Sequence, residues 1–340
     1  MTQHTRRLSA RRSILMALSA LIAVLLIAFL IPAAAHTTWP RLLQELASAP
    51  PLWVALLAAA ALTALLLDTV SLRRAFAPAP FPRVLAANAE GHAIALGVPL
   101  GGTLAAGWML ARLRDALSDR QGLWAGAALA LTGDITAAVL VPALGAVALA
   151  LSPEVSGTLQ YALLAAAVLA VSVGGAAARL VASESALRAL LVQVQSAEAA
   201  FSDGFGRPSR PLVEPVMQTR SRALTAARSG LPLIIGTPVL ARLVQAAVFA
   251  ALCSIGLGMD VSVPALVGVA ALGRLLTLVP LTPAGIGVVD AAMTAALVTL
   301  GAQPVSAGAA VLLFTLTQKV LPALIGSLSL AVTTARGRAR

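Results

Sequence analysis

The sequence predicts an all-α polytopic membrane protein, and composition, run length and the placement of arginine all point that way. Of its 340 residues, 59% are hydrophobic and only 11% charged, with a mean hydropathy of +0.92. Soluble domains do not have this composition. The apolar residues gather into runs near or above the roughly 20 residues that a helix needs to cross hydrocarbon. The arginines lie between those runs rather than in one patch. The formal net charge of +11 is therefore explained by retention of basic residues on the cytoplasmic side, not by nucleic-acid binding. Aromatics make up 4%, so the interior is mainly Ala, Leu, Val and Gly, which lets membrane helices approach closely. Cys253, the single cysteine, lies in an apolar run, so neither a disulfide framework nor a thiol metal site is expected.

Taken in order, Arg6, Arg7, Arg11 and Arg12 precede the run Ser13–Ile31. Its apolar core is longer than the usual signal h-region of about 7–15 residues. Although Ala33-Ala34-Ala35 resembles a signal-peptidase site, Ser13–Ala35 reads as an uncleaved first span behind a basic cytoplasmic segment, residues 1–12. Leu52–Leu72 is the second span, and Arg73, Arg74 and Arg83 place its end in the cytoplasm. Val84–Leu110 is long enough to span, but Val98-Pro99-Leu100-Gly101-Gly102-Thr103 breaks its middle. With Arg112, Arg114 and Arg120 following, both flanks are basic, which predicts a hairpin that enters and leaves on one side.

Leu123–Leu151 is interrupted by Thr132-Gly133-Asp134 and by Pro142. At about 1.5 Å per residue it exceeds a hydrocarbon core of roughly 30 Å, so it is tilted, kinked or partly interfacial. Ser152–Thr158 carries Glu154 and no arginine, which suits the outside, and Leu159–Val181 returns. Residues 183–230 hold Arg188, Arg207, Arg210, Arg220, Arg222 and Arg228, marking a cytoplasmic connector. Leu187, Leu190, Leu191 and Val194 follow the helical period of an amphipathic surface helix, and Gly204–Pro215 reads as a loop. Two roles stay open for the connector: a solvated link with retention arginines, or a binder of anionic lipid.

Leu231–Leu257 spans outward to Gly258–Val263, which carries Asp260 and nothing basic. Pro264–Gly301 is then broken at Val279-Pro280-Leu281-Thr282-Pro283-Ala284-Gly285-Ile286-Gly287. Two prolines and two glycines cannot belong to an uninterrupted helix. In hydrocarbon such a backbone survives only when buried in protein or lining a polar cavity. The non-basic flanks predict a second hairpin, entering from the outer face. Val305–Val332 crosses back, and Arg336, Arg338 and Arg340 hold the basic tail, residues 335–340, inside. The count is six full spans plus two opposed broken hairpins in a single integral domain, residues 1–340. The competing count makes each broken segment a full span, giving eight, and would put the connector's arginines outside. Both breaks begin Val-Pro-Leu, a weak sign of an inverted repeat.

In each hairpin the second half-helix starts near mid-bilayer, and a helix N-terminus offers free amides and the positive end of a dipole. That is a natural cradle for phosphate or carboxylate, with glycine allowing close approach. The plainer alternative is a tight turn packed on a neighbour. Arg274 and Asp290 would sit at similar depth on antiparallel half-helices, where they could pair. Glu90, His92, Asp134, Arg242 and Lys319 are candidate members of a charged path for a headgroup or proton; the alternative is a set of ion pairs locking helices together. His92 alone reads more simply as a hydrogen-bonded helix residue. The sequence contains no HExxH, paired-cysteine spacing, P-loop or GxSxG, and His4, His36 and His92 are scattered. No catalytic residue, metal or cofactor is expected, and the protein is not expected to be an enzyme.

The stretch Gly273-Arg274-Leu275-Leu276-Thr277-Leu278-Val279-Pro280-Leu281-Thr282-Pro283-Ala284-Gly285-Ile286-Gly287-Val288-Val289-Asp290 resembles a C-terminal signature. It is that of the flippase-like membrane family related to the transmembrane region of lysyl-phosphatidylglycerol synthases. Its pattern is an arginine-containing helix followed by P-x-T-P-G-G-[IL]-G-V-[VF]-[ED]. Asn88-Ala89-Glu90-Gly91-His92 through Pro99-Leu100-Gly101-Gly102 is similar to the family's earlier Pro-Gly element. Ala284 replaces the first glycine of the usual pair, and Asp290 stands where glutamate is commoner. The resemblance implies translocation of a phospholipid or lipid-linked headgroup between leaflets, with Arg274, Pro283, Gly285, Gly287 and Asp290 as functional residues. The anion-cradle reading adds Thr282, Gly101, Gly102 and Thr103. The soluble aminoacyl-transferase domain of two-domain relatives does not appear in the sequence, so synthesis of the lipid is not expected. Two other classes stay open: an accessory subunit or enzyme acting on lipid-linked sugars, and a structural membrane scaffold. Expected partners are a membrane phospholipid or lipid-linked substrate, the bilayer itself, and a membrane-protein partner or second copy. The expected location is the plasma membrane, with both termini cytoplasmic.

Overall fold

The computed structural model describes residues 29, 32–35, 37–97, 101–117, 119–204, 211, 213–228, 230–277 and 285–338. Every regular element among them is helical. A short amphipathic helix, α1 (Trp39–Ser48), opens the described chain. Five helical stretches are long and apolar enough to cross a membrane. These are α2 (Pro51–Ala75), α5 (Arg120–Ala150), α6 (Thr158–Ala182), α9 with the π turn that prolongs it (Leu231–Gly256), and Pro304–Ala335. The last comprises α12 (Pro304–Thr315), a π turn (Leu316–Val320) and most of α13 (Leu321–Arg338). They match the last five of the six expected spans. The first, Ser13–Ala35, lies almost wholly outside the described residues, as does the basic segment 1–12.

The two broken segments fold as pairs of short helices. The first pair is α3 (Phe81–Gly97) and α4 (Gly101–Leu113), and the second is α10 (Val263–Leu276) and α11 (Val288–Thr299). The longest of the four has 17 residues, about 26 Å at 1.5 Å per residue, which is short of a roughly 30 Å core. Each pair is antiparallel. In the first, Gly101 packs on Ala95, Gly91 faces Ala105, and Glu90 bonds Trp108. In the second, Gly273 faces Met293 and Gly285 faces Thr277. The second turn ends in left-handed backbone, with φ of 71° at Gly285 and 90° at Gly287. An L side chain is strained there, so the glycines are required by the turn itself.

The core forms where α9 packs against α2, α5 and α10. Phe249, Leu252, Leu266, Leu297 and Val311 are buried at its centre, and Phe249 meets Phe314 edge to face at 4.9 Å. Small residues bring backbones close. Gly145 and Gly268 let α5 and α10 cross, and a Cβ at Gly326 would collide with the Ala89 carbonyl, so α13 lies directly on α3. At 31 residues α5 runs unbroken through Pro142, about 46 Å long, as its apolar length required. By contrast, α6 packs chiefly along α5 and leaves Tyr161, Val168, Leu169 and Val173 exposed, a surface suited to lipid tails.

The connector forms α7 (Glu184–Gly204) and α8 (Val213–Ala227). The second begins inside the loop expected over Gly204–Pro215, because Pro215 sits in a first helical turn, where no intrahelical amide is missed. Arg220 donates to the Val181 carbonyl at 2.8 Å and also to that of Ala182, satisfying the C-terminal end of α6. Arg222 bonds Asp119, the N-cap of α5.

Candidate functional site

Helices α2, α3, α4, α5 and α9 surround a cavity of about 260 Å³ whose walls include Asp68, Asn88, His92, Gly102, Asp134 and Arg242. Asp134 is the fifteenth residue of the 31-residue α5, and Arg242 is likewise near the middle of its span. The cavity therefore sits at a depth where charge must be neutralised locally. Arg242 does this for Asp68, donating from Nη2 to Oδ2 at 2.7 Å, with both side chains largely buried. Nη1 reaches Gln245 at 3.2 Å; Gln245 then donates to Gln318 at 2.9 Å, and Gln318 to the Leu57 carbonyl at 2.9 Å. The chain of bonds fixes the guanidinium from behind. Asn88, also in the cavity wall, donates to Thr69 at 3.0 Å.

Several polar atoms at this site lack such support. Asp68 Oδ1 is buried with no hydrogen-bond partner among the described residues. Asp134 and His92 line the cavity without a hydrogen bond or salt bridge among those residues. Arg274 on α10 interacts electrostatically with Arg242, Asp68 and Asp134, so it belongs to the same cluster.

The N-terminus of α4 opens onto this space. Gly101 is pressed against Ala95, where a Cβ would lie 2.5 Å from the carbonyl oxygen, whereas a Cβ on Gly102 would meet nothing within 4 Å. Gly102 thus leaves room at the cavity wall beside helix-terminal amides. Thr103 is exposed and is not part of the lining.

The second break is built differently. Thr282 and Pro283 lie outside the described residues. Gly285, Gly287 and Asp290 are all buried. The ion pair open to Arg274 and Asp290 by depth does not form. Asp290 turns back over its own helix end, where Oδ2 accepts from the Gly287 amide at 2.8 Å and Oδ1 from Thr315 at 2.7 Å. Lys319 Nζ stands 3.7 Å from Oδ1. Antiparallel register makes Arg274 and Asp290 level, but Arg274 interacts with Asp68, Asp134 and Arg242 while Asp290 is the third residue of α11, the position that reaches back to a helix cap. One amide of this terminus is thus already bonded to an internal carboxylate.

Glu90, expected on the charged path, is a lock instead. Fully buried, it accepts from Trp108 at 2.7 Å, from Arg112 at 2.9 and 3.1 Å, and from Ser329 at 2.8 Å. It ties both arms of the first hairpin to α13 with every oxygen occupied, and it is not among the cavity walls. The expected path therefore resolves into His92, Asp134 and Arg242 on one cavity, Lys319 beside Asp290, and the Glu90 lock.

Sequence reasoning passed over Asp68, and with it Gln245 and Gln318. The available signal was a carboxylate deep inside the apolar run Leu52–Leu72. Among known proteins, the family described as "Lysylphosphatidylglycerol synthase TM region" matches residues 16–326. No curated protein matches the chain.

Proposed function

We propose, from the premise that the chain belongs to the lysylphosphatidylglycerol synthase TM region family, that it moves a phospholipid or lipid-linked headgroup between leaflets. Family membership ties it to membranes and lipid handling. The observation that carries the finer reading is the mid-span cavity where Asp68, Asp134 and Arg242 meet the amide end of α4. A headgroup crossing hydrocarbon needs its water replaced by fixed charges and donors, and these residues offer both signs. In this reading a lipid phosphate sits by Gly102 and shares the Arg242 guanidinium with Asp68, while the tails remain in the bilayer. Arg274 supplies a second cation. The two short-helix pairs re-enter from opposite faces of a plasma membrane, with both chain termini cytoplasmic. Asp290 and Lys319 hold the second turn in shape rather than contacting the headgroup.

The test is a reconstitution. Purified protein in vesicles of phosphatidylethanolamine and phosphatidylglycerol, with a trace of tail-labelled fluorescent phosphatidylglycerol, should speed exposure of inner-leaflet label to a membrane-impermeant quencher. Arg242→Ala and Asp68→Ala should lower that rate at least about tenfold, the effect of losing one buried charged contact. Folded variants that match wild type would sink the proposal, as would wild-type protein no faster than protein-free vesicles.

A further inference from the structure

Two carboxylates, Asp68 and Asp134, and one guanidinium, Arg242, line the cavity, and the Arg274 guanidinium of α10 interacts with all three, so the cluster is electrically balanced before anything binds. Charged and titratable groups reach Asp134 from several helices packed around it: Asp68 from α2, His92 from α3, Arg242 from α9 and Arg274 from α10. The face of α4 toward the cavity contributes Gly102, Ala105, Ala106 and Met109 and no charge. Arg222 of α8 is engaged by Asp119 at the far end of α5. On α6 the charged residue is Arg179, in its last turn. Asp68 owns a cation at 2.7 Å. Asp134 has no hydrogen bond or salt bridge among the described residues and stands halfway along its helix.

A phosphate brought into this space adds a negative charge to a cluster already at zero, in surroundings where uncompensated charge is strongly disfavoured. The least disruptive compensation is a proton on the carboxylate that has no cation of its own. Building on the translocase reading, we infer that an anionic headgroup crosses together with one proton carried by Asp134. Hydronium on the loading side gives its proton to the Asp134 carboxylate, leaving water and a neutral carboxylic acid. When the headgroup leaves, the proton passes to water on the far side. No bond of the lipid changes, and lipid anion and proton travel the same way with no net charge moved. A pH difference therefore drives the lipid, and no nucleotide is required.

The experiment uses the full chain in the same labelled vesicles, with a pH-sensitive dye trapped inside and the outside made acidic. Label should accumulate in the inner leaflet toward a ratio of about tenfold per unit of pH difference, and the lumen should acidify in step, beyond protein-free vesicles. Asp134→Asn should abolish the gradient's effect on the leaflet ratio, and Asp134→Glu should restore it. Wild-type protein that equilibrates label equally with and without the gradient overturns the coupling while leaving translocation standing. An Asp134→Asn protein that keeps the full bias overturns the assignment to Asp134. Label that does not move under either condition defeats the translocase reading, and the coupling with it. The lumenal pH record of wild type decides the coupling without any variant.

Discussion

Asp68 and Arg242, 174 positions apart in the chain, meet at 2.7 Å between α2 and α9. The pair is what permits charge at the centre of this membrane fold, and its guanidinium is the cation that a phosphate would share. Its second carboxylate oxygen, buried and without a partner among the described residues, shows that the bond is not fully saturated. Asp68→Leu alone should destabilise the protein by about 3–5 kcal/mol, because it strands a buried guanidinium. Combining it with Arg242→Met should recover most of that loss while transport stays lost. Thermal unfolding in detergent, alongside vesicle assays, separates the two effects.

The Glu90 lock yields a purely structural expectation. Removing its carboxylate with Glu90→Ala leaves Trp108, Arg112 and Ser329 without their shared acceptor. The expected loss is about 3 kcal/mol, read as a lower unfolding midpoint. Glu90→Gln should lie between wild type and Ala.

Two glycines predict opposite outcomes for the same substitution. At Gly326 a methyl group would strike the Ala89 carbonyl, so Gly326→Ala should force α13 off α3 and abolish folding. At Gly102 a methyl group meets nothing within 4 Å. Gly102→Ala should therefore fold with stability equal to wild type or up to about 1 kcal/mol higher, yet move lipid more slowly because the cavity wall is filled. Yield of monodisperse protein and transport rate together read both predictions.

Acid should loosen the two ends of α5. The hydrogen bond from Arg222, with help from the Gly122 amide, holds the Asp119 carboxyl below its ordinary value of 3.8. At the other end burial alone would raise Glu154, but hydrogen bonds, chiefly from the Ser262 amide and hydroxyl, outweigh it and leave the group below its ordinary 4.5. For carboxyls lowered on folding, the stabilisation is complete above the unfolded value and disappears as pH falls through the folded one. Protease nicking in the loop at residues 151–157 should thus be constant near neutrality and rise only in acid below 4.5. Glu154→Gln should show the raised rate at neutral pH.

Much of this was legible from the chain. Pro and Gly clusters located both breaks, since each removes a helical amide or admits a left-handed turn, and the arginine pattern separated spans from connector. What the sequence did not convey was azimuth. Arg274 and Asp290 are level on antiparallel helices, but a difference in helical phase leaves one interacting with Asp68, Asp134 and Arg242 and turns the other to its own helix cap. Glu90 and Asp134 looked alike as intramembrane carboxylates. Only packing distinguishes the acid surrounded by three donor side chains from the one facing open space. Asp68 was hidden because one carboxylate barely alters the hydropathy of a long apolar run.

The central claim, that lipid headgroups pass through the cavity beside α4, is tested most directly by blocking it. Ala106 lines the cavity and is exposed, whereas the native thiol, Cys253, is buried. With Ala106→Cys introduced on a Cys253→Ser background, a bulky membrane-permeant maleimide should stop lipid movement in proportion to the fraction modified, as measured by mass spectrometry. Fully modified, folded protein that moves lipid at the unmodified rate would contradict the account and place the route elsewhere.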